Sequence, residues 1–361
     1  MIPFATRTMR YRNGAMAEAA AGLEVYELGG DPAGPLVLFV HGGSWGQGAP
    51  WQYALLARRL LEEGGASRVA ICKYSLFPHG DVDTMVEDIA NGLEWCREQQ
   101  RAQPKLRVVL AAQSAGAHLC SLYLSRRTAA EAEAWQPDKF VALSGVFDIA
   151  KHFAHERTRL VHWLSPMWLA MVGKKTAAGE AVNQQLAIVS SDPADSRGLD
   201  ADELAAAGLA CRDLAAVSRG TVQSSPIEDW TEQEMKAWTV ASPTRMLNLG
   251  RVAAAGAPRA AAGEFLGEGP PLALAVRSSW PSTVVLHAAD DSTVPVTSAR
   301  EFVDALRLAP CVPDNLDYKE YKSGGHGEIM IQLMSRAPLQ ELTGIAREFV
   351  ESVGATQPDE R

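Results

Sequence analysis

The apolar positions of the chain fall into two alternating kinds of run. Leu36–Val40 is apolar throughout, as a strand buried on both faces must be, and Arg68–Tyr74 and Val108–Ala112 read similarly. Between them, apolar residues recur at helical spacing. Trp51–Glu63 carries them at 55, 56 and 60 and stops at Gly64-Gly65. Val82–Arg101 carries them at 82, 85, 86, 89, 93 and 96 and is closed off by Pro104. Leu23–Leu28 reads as a strand of edge type and Phe140–Leu143 as a further buried strand. A helix after Ser114 should run to about Ala134.

From about Ala150 to Val240 the alternation breaks into mixed helical and loop-like sequence, with an Ala- and Asp-rich middle over Ser190–Ala216. Strand character returns at Ser282–Leu286. A helix over Val296–Leu308, a strand over Leu316–Tyr321 and a last helix over Pro338–Val353 follow. This order predicts an α/β chain with a mostly parallel central sheet and helices on both faces. Residues 151–240 then read as a helical cap inserted into one domain, whose core is about 22–150 and 241–353. Segment 172–230 is the variable part of that cap, and Gly250–Pro271 reads as a long flexible excursion.

Charge and composition narrow the function classes. The 361 residues carry a net charge of −9 and no basic run beyond pairs such as Arg58-Arg59, which argues against nucleic acid as a partner. The five cysteines (72, 96, 120, 211 and 311) are odd in number and lack CxxC spacing, so they read as reduced thiols of a cytoplasmic chain. No zinc site is implied. The longest apolar runs fall far short of the roughly 20 residues that span a bilayer, and Met1–Gly14 does not read as a signal or transit peptide. An integral membrane segment is therefore not expected, which leaves peripheral contact with endomembranes open.

The candidate chemistry begins at Ser114. An apolar strand ends in small residues around it, Ala112-Gln113-Ser114-Ala115-Gly116, and a helical pattern follows. That is the layout of a nucleophile elbow, a tight strand-to-helix turn needing small residues two before and two after the serine. Ala112 departs from the usual glycine. Directly after the buried strand Leu36–Val40 stands His41-Gly42-Gly43-Ser44-Trp45. Glycines there let backbone amides near Gly43 and Ser44, with the amide of Ala115, approach a developing oxyanion.

The order of two later features completes the pattern. Asp290-Asp291-Ser292-Thr293-Val294-Pro295 follows a late strand, and the D-x-x-V-P spacing selects Asp291, leaving Asp290 as a turn or capping residue. His326 lies in a Gly-rich loop after the last strand, Ser323-Gly324-Gly325-His326-Gly327. His118, His152, His155 and His162 have weaker contexts and read as structural or substrate-contacting. Ser114, Asp291 and His326 stand in the Ser…Asp…His order of α/β-hydrolases. The fold class expected is therefore the α/β-hydrolase fold with an inserted helical cap. A hydrolase-fold binding protein without turnover is the competing class, but such proteins typically lose a member of the triad.

More specific motifs then carry a resemblance. His41-Gly42-Gly43-Ser44-Trp45-Gly46, Tyr74-Ser75-Leu76-Phe77-Pro78, Met85-Val86-Glu87-Asp88, Gln113-Ser114-Ala115-Gly116-Ala117-His118 and Ser144-Gly145-Val146-Phe147-Asp148 together resemble the isoprenylcysteine methylesterases. The resemblance implies cleavage of a methyl ester on a prenylated cysteine, with no metal and no organic cofactor. Kynurenine formamidases share the HGG-x-W loop and the SAGAH elbow, so they and general carboxylesterases stand as the alternatives. Gly42, Gly43, Ser44, Trp45, Gln113 and Ala115 are the expected oxyanion and substrate-binding residues. The apolar segment Val161–Val172 adds Trp163 and Met167 as candidates for a prenyl groove; the plainer reading is that these residues only pack the cap onto the sheet.

Overall fold

The computed structural model describes residues 5–10, 21–27, 33–127, 129–161, 165–172, 238, 240–254, 280–309 and 313–354. Its centre is a sheet of eight strands: β1 Ala5–Arg10, β2 Gly22–Tyr26, β3 Leu36–Val40, β4 Arg68–Lys73, β5 Val108–Gln113, β6 Lys139–Leu143, β7 Ser282–Ala288 and β8 Leu316–Tyr321. The strand order is β1-β2-β4-β3-β5-β6-β7-β8. From β4 to β8 every pairing is parallel, while β1–β2 and β2–β4 are antiparallel.

Side chains of successive strand residues point to opposite faces, and each face has its own apolar layer. Leu36, Leu38 and Val40 of β3, with Val108, Leu110 and Ala112 of β5, join one layer. Helices α2 (Val82–Ala102) and α3 (Ala115–Arg126) cover it through Met85, Ile89, Leu119 and Leu122. Val37, Phe39, Val109 and Ala111 join the other layer, covered by α1 (Ala54–Glu62) and by a C-terminal helix over Gly344–Gly354. The remaining described helices are α4 (Ala129–Ala134), α5 (Ile149–Thr158), α6 (Met167–Val172), α7 (Pro243–Ala254), α8 (Thr297–Leu308), α9 (His326–Leu333) and α10, the Gly344–Gly354 helix just named. Caps set several starts: Asp81 accepts from the Thr84 amide at the head of α2, and Asp148 from the Lys151 amide at the head of α5.

Four expectations need correction. The strand near Leu23 is not an edge, because the polar run Ala5–Arg10 pairs outside it; β1 has no apolar pattern and is held by backbone pairing. The helix after Ser114 does not reach Ala134 unbroken. Arg127 turns extended (ψ 141°) and separates α3 from α4, while its guanidinium donates to the carbonyls of Glu131 and Trp135. The last helix starts at Gly344, not Pro338, since Pro338 heads a short 3-10 turn and Leu342 is extended. Finally, His326 opens an eight-residue helix that the glycine-rich sequence before it concealed. The middle of the expected cap, 173–237, lies outside the described residues, as does the expected excursion beyond Ala254; its first residues, 250–254, instead end helix α7.

The far end of α9 is anchored by Arg59 of α1. Its buried guanidinium donates to the carbonyls of Leu333, Ser335 and Ala337 at 2.8–2.9 Å and pairs with Glu63. Arg59→Met would leave these carbonyls without their donor. A loss of about 3 kcal/mol in stability is expected, at roughly 1–3 kcal/mol per buried group left unsatisfied, and the urea unfolding midpoint measures it.

Candidate active site

The site is assembled where three strand ends meet. Val40 of β3 lies opposite Ala112 of β5, and Ala112 opposite Ala142 of β6, so the loops leaving these strands emerge side by side. Beyond β5 the chain reverses sharply at Ser114, whose φ of 54° and ψ of −123° lie outside the regions an ordinary L-residue prefers. Such a conformation costs on the order of 1–3 kcal/mol, and neighbouring contacts hold it. The Ser114 amide donates to the Leu143 carbonyl at 2.9 Å, and the His118 amide closes the first turn of α3 on the Ser114 carbonyl at 3.1 Å. Gly116 must be glycine for a direct reason: a Cβ there would sit 2.2 Å from the Val40 carbonyl oxygen and 2.6 Å from that of His41. At Ala112 the methyl group fits, fully buried in the sheet.

His326, Asp291 and Ser114 meet across this turn. The Ser114 Oγ lies 2.8 Å from His326 Nε2, and His326 Nδ1 lies 2.7 Å from Asp291 Oδ2. Asp291 follows β7, and its Oδ1 accepts the amides of Thr293 and Val294, both at 2.9 Å. Burial raises the pKa of this carboxyl, but the hydrogen bond and charge of His326 and the Val294 amide outweigh it. The net shift is downward, and Asp291 stays ionised. Asp290 is exposed beside it. With Oδ2 on Nδ1, the imidazole presents a bare Nε2 to the serine hydroxyl, so it can accept the Oγ proton as Oγ attacks a carbonyl.

The loop after β3 supplies the opposite wall. Gly43 (φ 120°), Ser44 (φ 50°) and Trp45 (φ 61°) are three successive residues with positive φ. The turn is closed by the amides of Gly46 and Gln47 on the Gly43 carbonyl. For Ser44 and Trp45, left-handed geometry costs about 1–2 kcal/mol each. Gly42 sits against the elbow, where a Cβ would fall 2.3 Å from Gln113 Oε1 and 2.9 Å from Ser114 Cβ. Among the described residues the Gly43 and Ser44 amides meet no backbone acceptor, and the Ala115 amide, first in α3, has no partner within its own helix. Gln113 reaches between the two walls, its Nε2 3.3 Å from His326 Nε2.

Other candidates are placed differently. Trp45 is 1% exposed and faces the interior, so it anchors its loop and offers no wall to a ligand. Its indole Nε1–H donates to His118 Nδ1 at 3.1 Å, and His118 Nε2–H donates to the Ala241 carbonyl at 2.7 Å. Burial lowers the His118 pKa to about 3, which keeps the ring neutral. Met167 is fully buried in the same apolar layer as Trp45 and Trp238, which supports the packing reading of the cap segment over the groove reading. Trp163 lies outside the described residues. His41 is stacked between Tyr53 and Tyr74 and donates Nδ1–H to the Gly42 carbonyl at 2.7 Å; burial lowers its pKa to about 4.

Sequence reasoning missed His287. From within β7 it donates Nε2–H to the Val294 carbonyl at 2.8 Å and lies 3.6 Å from Asp291 Oδ2. A polar residue closing an apolar strand four positions before the acid was the available signal. Among the described residues no group of three or more His, Cys, Asp or Glu side chains could hold a metal ion, and no helix is long and apolar enough to cross a membrane.

Comparison with known proteins agrees with this architecture. A family model described as alpha/beta hydrolase fold matches residues 37–210. A probable isoprenylcysteine alpha-carbonyl methylesterase of Oryza sativa subsp. japonica is 37% identical over 136 residues, covering 34% of this chain and 32% of that protein. The kynurenine formamidase of Danio rerio is 34% identical over 104 residues, covering 28% and 34%. The chain thus spans about a third of the length of the curated relatives it matches. Among solved structures, carboxyl esterase 2 of the mycorrhizal fungus Tuber melanosporum superposes with a TM-score of 0.50 at 18% identity, over 98% of this chain and 86% of that one. The chain has the α/β-hydrolase fold, and over about a third of its length it resembles the isoprenylcysteine methylesterases.

Proposed function

We propose that the protein is a serine carboxylic-ester hydrolase working through an acyl-enzyme, and that its substrates are prenylcysteine methyl esters. The observation that carries the reading is the unbroken chain from Ser114 Oγ through His326 to Asp291, at 2.8 and 2.7 Å, on an elbow packed against the Gly42 loop. Ser114 Oγ bonds to the ester carbonyl carbon while its proton passes to His326 Nε2. The amides of Ala115, Gly43 and Ser44 hold the oxygen as it becomes negative. Collapse of the intermediate expels methoxide, which leaves as methanol with the proton from His326. Water then repeats the sequence on the acyl-enzyme and frees Ser114. Asp291 remains a carboxylate throughout. These steps require neither metal nor organic cofactor.

The choice of alcohol and acyl group rests on the resemblance to the methylesterases. The same groups would also cleave a formamide, and the match to a kynurenine formamidase makes N-formylkynurenine the second substrate to try. We place the cap over 151–240, with α5 and α6 as its described part, and we place the enzyme in the cytoplasm, working on substrates at membrane surfaces.

Three experiments test this reading. Ser114→Ala should fold normally and lose hydrolysis by a factor of ~10⁶ in kcat; a folded variant keeping most of its activity would refute the nucleophile. Asp291→Asn should lower kcat on the order of 10⁴-fold by favouring the wrong histidine tautomer, whereas Asp290→Asn should be mild, and the reverse ranking would move the acid. On a panel of esters, each buried CH₂ of a prenyl chain should improve kcat/KM by up to about 0.8 kcal/mol. Equal kcat/KM for acetate and prenylcysteine methyl esters would remove the substrate assignment and leave a general esterase.

A further inference from the structure

We infer that His118 is a positioning residue for the oxyanion loop, holding Trp45 so that the amides of Gly43 and Ser44 face the acyl group carried by Ser114. The inference deepens the esterase reading and rests on it for its kinetic part. The loop has little internal reason to keep its shape. Ser44 and Trp45 both hold positive φ, and within the loop only the two bonds onto the Gly43 carbonyl close the turn. The constraint comes from outside. Trp45 is almost completely buried, its carbonyl accepts the Phe77 amide at 2.9 Å, and its indole N–H is bound by His118.

His118 lies one turn along α3 from Ser114, so the residue that fixes the loop rides on the helix that carries the nucleophile. Its two ring nitrogens do opposite work: Nδ1 accepts from Trp45 and Nε2–H donates to Ala241. Only a neutral imidazole can do both. The ring is fully buried and the positive charge of Arg126 also opposes protonation, so this state persists through the range in which esterases work. The rings of Trp45 and His118 meet edge-to-face at 5.3 Å and 82°, and His152 of α5 meets Trp45 from another side at 6.4 Å.

The chemistry allows a conservative replacement. Glutamine at 118 offers a carbonyl oxygen to Trp45 and an NH₂ to Ala241, whereas leucine fills the space and offers neither. With a short activated aryl ester, His118→Leu should lower kcat by about 10- to 100-fold at little change in KM, because displacement of a catalytic group by about 1 Å costs up to 10²-fold. A trifluoromethyl ketone analogue of the tetrahedral intermediate should weaken in parallel. His118→Gln should stay within about threefold of the parent, and Trp45→Phe with His118→Leu should be no worse than either alone, as for two residues acting as one unit.

A readout independent of turnover separates the two readings. The indole N–H proton resonance missing from Trp45→Phe identifies Trp45. It should lie downfield in the parent and in His118→Gln, and shift upfield in His118→Leu. Wild-type kinetics in His118→Leu, additive losses, or His118→Gln as impaired as His118→Leu would overturn the inference. A parent protein that neither cleaves esters nor is labelled at Ser114 by a fluorophosphonate would instead refute the esterase reading. The indole resonance would still report whether His118 holds the loop. Should His118→Leu not fold, Trp45→Phe alone decides, since it removes the contact and leaves His118 intact; unchanged kcat there overturns the inference.

Discussion

The site depends on one close approach. The backbone at Val40 and His41 passes so near Gly116 that no side chain can stand between them. This contact follows from parallel β3–β5 pairing, which sets Val40 beside Ala112 and sends both strands out of the sheet at the same level. The sheet therefore brings the serine turn and the glycine loop together, and the close contact at Gly116 and the Trp45–His118 bond fix one against the other. A longer side chain at 116 would push the Ser114 hydroxyl away from the Gly43 and Ser44 amides, the two groups that the proposed acyl transfer must bring together.

Around that contact, unfavourable local states are held by favourable packing. Ser44, Trp45, Ser114 and Ser144 all carry positive φ without being glycine. Each lies in a loop leaving the same end of the sheet, and three have a tether: Ser114 and Ser144 donate their amides to the carbonyls of Leu143 and Leu286, and Trp45 is buried in the core. These four gather at the strand ends that build the candidate site, whereas the fifth, Leu160, lies beyond α5 on the surface. Stability elsewhere, in two apolar layers packed on both faces of the sheet, offsets this strain.

Much of this was legible in the sequence because it rests on short-range patterns. Continuous apolar runs marked β3, β4 and β5, helical spacing marked α1 and α2, and the order Ser114, Asp291, His326 followed from motifs at strand ends. The parts that were not legible rest on long-range contacts. Nothing in Ala5–Arg10 marks it as a strand, since its pairing partner Gly22–Tyr26 supplies the reason. Trp45 in an exposed-looking glycine loop reads as a ligand contact, and only the fold shows that its indole turns inward to His118. His287 was missed for the same cause: its partner Val294 is seven residues away, beyond the acid that motif reading singled out.

These long-range contacts give the histidines distinct tasks. His326 keeps one face bound to Asp291 and the other on Ser114, with its side chain 14% exposed, so it can cycle its proton. His41, His118 and His287 are buried, and burial lowers the pKa of each, so they stay neutral; each donates one ring N–H to a backbone carbonyl, and His118 also accepts from Trp45. His118 reaches furthest. Through Ala241 it touches a segment whose Ser242 hydroxyl accepts the Ile149 amide at the head of α5 and donates to the Trp238 carbonyl. The loop after β3, helix α3 and the head of α5 are thus joined by neutral side chains. Among the described histidines His326 alone bonds both Asp291 and Ser114, and the proposed proton transfer falls to it.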